Sequence, residues 1–167
     1  SARIEEAQAT FGNPLAYISA LKLPAIERAA LAACDALDGV TDGIIGDPSK
    51  CHFNPETLLC KGHDSLNCLT QPQVNSLKTY YAGGKDREGR SIFPGLVMGD
   101  EAHGWPQWVL GHGPGSADIL QYVTNYFRYM VTNDPTWNIL TANVDELLRL
   151  ATEKTSAAQD ATNPDLS

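Results

Sequence analysis

The 167-residue sequence contains no run of apolar residues approaching the ~20 that a membrane-spanning helix requires. It is poor in positive charge: 12 Lys and Arg stand against 20 Asp and Glu, giving a net charge of −8, and they form no basic cluster. Phosphate backbones and anionic membranes are therefore poor partners, and no nucleic-acid or membrane role is expected. Residues 1–20 lack the charged start and continuous apolar core of a signal peptide. Beginning Ser1-Ala2-Arg3, the chain reads as an excised piece or a mature fragment. Also missing is the G-x-S-x-G pattern of a serine-hydrolase nucleophile elbow, since Gly113-Pro114-Gly115-Ser116 lacks its flanks. His52, His63, His103 and His112 read as surface or structural residues rather than as bases, so no residue is assigned a catalytic role. There is no internal repeat.

What is present suits one folded domain. Hydrophobic residues make up 43% and charged residues 19%, an ordinary balance for a packed chain. A chain of this length buries roughly 70% of its unfolded surface.

The most ordered stretch runs from Cys34 to Cys51. Acidic residues stand at Asp35, Asp38, Asp42 and Asp47, Gly39 and Gly43 follow the second and third of these, and a cysteine closes each end. Three neighbouring carboxylates repel one another unless a cation sits among them. A hard divalent cation such as calcium (Ca2+) takes six to eight oxygens from carboxylates and backbone carbonyls. Gly39 and Gly43 can take positive φ, which lets the backbone curl and aim carbonyls inward. Asp35, Asp38 and Asp42 are thus candidate carboxylate ligands, and Val40 and Ile44 candidate carbonyl donors whose side chains would turn to the core. An EF-hand is excluded, because counting from Asp35 puts Leu37 at the third position and Gly46 at the twelfth. A pair of solvated Asp-Gly turns is the plainer alternative.

Periodicity and capping residues outline the rest. A short polar helix is expected over 4–10, then a helix over Ala25–Ala33 with Pro24 at its first position and Ile26, Ala29, Ala30 and Ala33 on one face. The turn-rich stretch 52–70 suits short strands or extended pieces. Thr70 caps a helix beginning near Pro72, with Val74, Leu77 and Tyr81 as its stripe and Gly83-Gly84 as its stop. Residues 85–90 form a polar hairpin tip, and 93–115, rich in glycine with Trp105 and Trp108, suits a loop that packs against something else. Ser116 is expected to cap a helix from Ala117 to about Val131, and Asn143 with Glu146 makes a capping box for a last helix through Ala151. The polar tail 152–167 fits a connection to another domain. The fold class that follows is α+β, mainly helical, with short strands or hairpins and long loops.

Four cysteines allow three pairings, and the sequential one closes two short local loops. Disulfides imply an oxidising compartment, hence secretion or a periplasm. Zinc is the rival, with Cys51-His52 and Cys60-x-x-His63 as ligands, but the paired short spacings of zinc sites are lacking.

Cys-Asp-Ala-Leu-Asp-Gly-Val-x-Asp-Gly-Ile-Ile-x-Asp-Pro-x-x-Cys resembles the calcium loop of the tannase and feruloyl esterase family, serine esterases of the α/β-hydrolase fold. The resemblance continues through Phe53-Asn54-Pro55, Leu59-Cys60, Cys68-Leu69-Thr70, Gln73-Val74, Tyr81-Ala82-Gly83, Phe93-Pro94-Gly95 and Asp134-Pro135-x-Trp137 to Pro164-Asp165-Leu166-Ser167. It implies that residues 1–167 are a single lid domain excised from a larger α/β-hydrolase, with 152–167 leading back to it. It also implies calcium held by Asp35, Asp38 and Asp42 and by the backbone oxygens of Val40 and Ile44, disulfides Cys34–Cys51 and Cys60–Cys68, and a catalytic triad outside this chain. The partners implied are the hydrolase domain of the same parent chain and an aromatic, feruloyl- or galloyl-type ester at the domain interface. Trp108, Tyr126, Phe127, Arg128 and Tyr129 are the candidate wall of that pocket. Dimerisation of an isolated lid through its hydrolase-facing surface is left open. Two rival classes are a free-standing extracellular calcium-binding interaction module and a small hydrolase complete in itself.

Overall fold

The computed structural model describes Gln8, Thr10, residues 13–85 and residues 88–159. The rest of the helix expected over 4–10, part of the polar tip and the end of the tail lie outside these. The described residues are mainly helical, with a single two-stranded ribbon among them and two disulfides.

Helix α1, Leu23–Cys34, buries Leu23, Ile26, Ala30 and Cys34, a three-four-four spacing that keeps one face inward. Pro24 lies in its first turn, where its missing N–H costs nothing. The buried Lys22 just before it donates to Asp64, to the Cys68 carbonyl at 3.0 Å and to Gln73 Oε1 at 2.8 Å. One cation thereby ties α1 to the small disulfide loop and to the next helix. Within that loop the extended pieces shrink to a single parallel bridge, Leu59 to Leu69, flanking the Cys60–Cys68 bond.

Helix α2, Gln71–Ala82, starts with a reciprocal capping box between Thr70 and Gln73 and buries Val74, Leu77 and Tyr80. Tyr81, the expected third member of the stripe, is only half-buried, because it turns toward Glu101. Strands β1, Gly84–Lys85, and β2, Ser91–Phe93, pair antiparallel with Gly84 opposite Phe93. The chain leaving β2 crosses the end of α2 at Gly95, where a Cβ would stand 1.9 Å from the Tyr81 carbonyl. Only glycine permits that approach. The stretch expected to be loop then forms a helical turn α3, Glu101–Gly104, and a π-helical turn, Pro106–Leu110, and Trp105, Val109 and Leu110 enter the main core with Ile18, Leu23, Ile26, Leu69, Val74, Leu77 and Tyr80.

The helix expected over 117–131 is α-helical only over α4, Asp118–Asn125, and widens to a π-helix over Tyr126–Val131. Ser116 does not cap it; its hydroxyl closes a turn onto Gly113 instead. Helix α5, Val144–Gln159, runs well past the expected end at Ala151 and takes in residues 152–159. Glu153, Lys154, Ala157, Ala158 and Gln159 in that last stretch are good helix formers. It is also anchored, with Thr155 bonded to Tyr126 at 2.7 Å and Lys154 Nζ to the Val131 carbonyl at 2.6 Å. Phe127, Val131, Ile139 and Leu147 form a second core between the π-helix and α5.

Candidate metal centre and aromatic face

α1 delivers Cys34 and Asp35 directly into the acidic loop, and Cys34 bonds to Cys51 across its base with Cα atoms 5.3 Å apart. Both cysteines pack with Ala30, Ile45 and Phe53, so the loop stands on a small core of its own. Asp35 is 8% exposed, and its two carboxylate oxygens accept from the N–H groups of Asp42 at 3.3 Å and Gly43 at 3.1 Å. Asp38 accepts from Val40 at 2.9 Å and Gly46 at 3.1 Å, and Asp42 from Ile44 at 3.1 Å. Gly39 and Gly43 both take positive φ, +93° and +83°.

One expectation is corrected. Val40 and Ile44 do not turn their side chains to the core: they are 55% and 64% exposed, and Ile45, at 8%, is the residue that anchors the loop. Alternation explains the slip, since an extended backbone that buries one side chain presents its neighbour outward. Among the described residues no Lys or Arg forms a salt bridge with Asp35, Asp38 or Asp42. The three carboxylates without a basic partner are donors of the kind a hard cation takes, but among the described residues they do not belong to the groups whose ligand atoms lie within 4.8 Å of one another. The zinc alternative built on Cys51 and Cys60 fails, because both sulfurs are held in disulfides.

The five candidate wall residues occupy different settings. Trp108, on the Pro106–Leu110 turn, is exposed and lies 5.5 Å from the ring of Tyr122, itself exposed on α4. Tyr129 is exposed on the π-helix beside Met130. Phe127 instead faces the second core and stacks on Trp137 at 5.2 Å, and Tyr126 packs beside it. Arg128 Nε donates to the Trp137 carbonyl at 2.9 Å. Trp108 and Tyr129 thus present open aromatic surface, while Tyr126, Phe127 and Arg128 brace the segment that carries Tyr129. Tyr122, outside the five, stands with Trp108 through that ring contact.

Sequence reasoning also missed a buried carboxyl. Glu101 is 0% exposed, accepts from the Tyr81 hydroxyl at 2.6 Å, and faces the Gly99 N–H at 3.0 and 3.1 Å. Burial pushes its carboxyl above the ordinary range, against the opposing pull of those two donors. Burial, then the neighbouring carboxylate, raises the Tyr81 phenol as well. A carboxyl with a raised folded-state pKa adds stability that is full below its unfolded pKa and is lost as pH rises through the folded value. The stability difference between the native chain and E101Q should therefore fall from the ordinary carboxylate range upward, with a slope of at most about 1.4 kcal/mol per pH unit. Urea unfolding at a series of pH values checks this, and a flat difference would contradict it.

The family model described as tannase and feruloyl esterase matches residues 2–167. An uncharacterized esterase of Xanthomonas campestris pv. campestris is 40% identical over 95% of this chain and 30% of its own length. A probable feruloyl esterase B of Emericella nidulans is 38% identical over 73% of this chain and 22% of its own. The chain thus spans about a third or less of these relatives. In structure it is similar to feruloyl esterase B from Aspergillus oryzae, with a TM-score of 0.73 at 24% identity over 91% of this chain and 31% of that one. For tannin acyl hydrolase from Aspergillus niger the TM-score is 0.56 at 19% identity, over 90% and 31%. These two likenesses speak for the fold alone; the sequence match carries the rest, and the chain belongs to the tannase and feruloyl esterase family.

Proposed function

We propose that this chain is the lid of a secreted carboxylic ester hydrolase of the tannase and feruloyl esterase type, held in shape by calcium and carrying no reacting group. The observation that carries the reading is a family match over residues 2–167 in a stretch without a nucleophile elbow. The serine, acid and base then come from the hydrolase domain of the parent chain. Two disulfides suit folding in an oxidising compartment. Among the described residues no helix is long and apolar enough to cross a membrane.

Asp35, Asp38 and Asp42, with the carbonyls of Val40 and Ile44, would hold the ion, which supplies charge compensation and rigidity rather than chemistry. What supports this is that the loop's own N–H groups donate to all three aspartates and hold them on one curled segment. A lid of this kind excludes water from the reacting ester and selects the acyl group by the walls it presents. Trp108 and Tyr129 offer flat apolar surface of the sort a phenolic acyl group stacks on. Their π-helical segments suit this work, since such turns recur at functional sites.

W108A combined with Y129A in the parent enzyme should cut the preference for an aryl over an alkyl ester by roughly tenfold or more, the worth of a lost pocket contact. The ratio of kcat/KM for methyl ferulate and a methyl alkanoate measures it. An unchanged ratio would remove these residues from the wall.

A further inference from the structure

We propose a second metal site, distinct from the acidic loop, in which Glu27, Asp100 and His103 bind a divalent transition-metal ion such as zinc. Glu27 comes from the middle of α1, and the other two from the turn that forms α3. One carboxylate oxygen from each acid and a ring nitrogen of His103 lie within 4.8 Å of one another. His103 Nδ1 is 3.4 Å from Glu27 Oε2 and 3.9 Å from Asp100 Oδ1. Ligands about 2.0–2.2 Å from a zinc ion stand little more than 3 Å apart, so small side-chain adjustments close the site.

Three further observations point to a ligand. Asp100 occupies the position that should cap α3, yet its carboxylate makes no capping hydrogen bond and sits beside a second carboxylate instead. The carboxylate has space there because residue 104 is glycine: a Cβ would stand 2.6 Å from Asp100 Oδ2. Glu27 is largely buried and accepts from the Ala102 N–H at 2.8 Å, so its carboxylate is aimed by the same turn that carries the other two ligands. Such outer hydrogen bonds are how proteins orient first ligands. The three side chains line a cavity of about 370 Å³ together with Ile45, Met98 and Gly99, which leaves space for water to complete the coordination. Among the described residues no Lys or Arg lines that cavity, so no ammonium or guanidinium offsets the two carboxylates there. One nitrogen and two oxygens suit zinc and its neighbours better than calcium. The ion would lock α1 to α3 next to the acidic loop.

The test is equilibrium dialysis of the full protein carrying this chain against zinc chloride, with calcium in excess to saturate oxygen-only sites. The native protein should take up one zinc more than H103A or E27Q, each of which loses affinity at that site by at least about 100-fold. H112A, which alters another exposed histidine, should bind as the native protein does. His103 is exposed and glutamine at 27 keeps the Ala102 bond, so both variants should retain the native circular dichroism. Equal zinc uptake by the native protein, H103A and E27Q would overturn the site, as would an equal loss in H112A.

Discussion

Excess chelator should lower the melting temperature of the calcium-loaded chain by roughly 5–10 °C. An ion that binds the folded loop and not the unfolded chain stabilises by about 2.7 kcal/mol at a hundred times its dissociation constant. For a domain of this size each kcal/mol moves the midpoint by about 2–4 °C. The variant that isolates the ion is D42N. Among the described residues the Asp42 side chain accepts one hydrogen bond, at Oδ1 from the Ile44 N–H, which asparagine can keep, so only the charge is lost. D42N should melt with the native chain in chelator and fail to gain the calcium-dependent rise. Differential scanning calorimetry with and without calcium measures both, and equal native melting curves in the two buffers would remove calcium from the loop.

The second large effect concerns the staple at the base of the same loop. Replacing Cys34 and Cys51 together by alanine should cost about 3 kcal/mol in loop entropy alone, somewhat more because both side chains sit in the core beneath the loop. It should also shrink the calcium-dependent rise, because the free ends of the loop then have to be ordered by the ion. C60A/C68A is the control. That bond closes a separate loop near Leu59 and Leu69, so its loss should lower stability while leaving the calcium-dependent rise intact. Guanidinium unfolding with and without calcium separates the two; equal calcium responses in both double variants would mean that the Cys34–Cys51 bond does not shape the loop.

Strong local signals survived into the structure. Pro24 opened α1, Thr70 opened α2, and Gly83 ended it, because caps and breakers act through a few neighbouring backbone groups. The acidic loop was legible as a curled backbone because Gly39 and Gly43 both needed positive φ. What stayed hidden was set by tertiary packing. Ser116 looked like a cap but found Gly113, and the apolar stripe after it could not reveal that the helix widens at Tyr126. Helix α5 continues beyond Ala151 because Tyr126 and Val131 reach Thr155 and Lys154 from another segment. Ile45 rather than Ile44 anchors the loop, a one-residue choice fixed by the Cys34–Cys51 bond and Phe53. Glu101 gave no periodic or motif signal, since its burial depends on Tyr81, twenty positions away.

Diffraction from the whole parent protein, crystallised with calcium and a non-hydrolysable feruloyl ester analogue, decides the matter. The expected result is an ion at about 2.3–2.6 Å from oxygens of Asp35, Asp38, Asp42, Val40 and Ile44, with the aryl ring against Trp108 or Tyr129 and the attacking serine supplied from outside residues 1–167. An analogue bound far from this chain, or attacked by one of its own side chains, would contradict a lid that shapes the site without reacting.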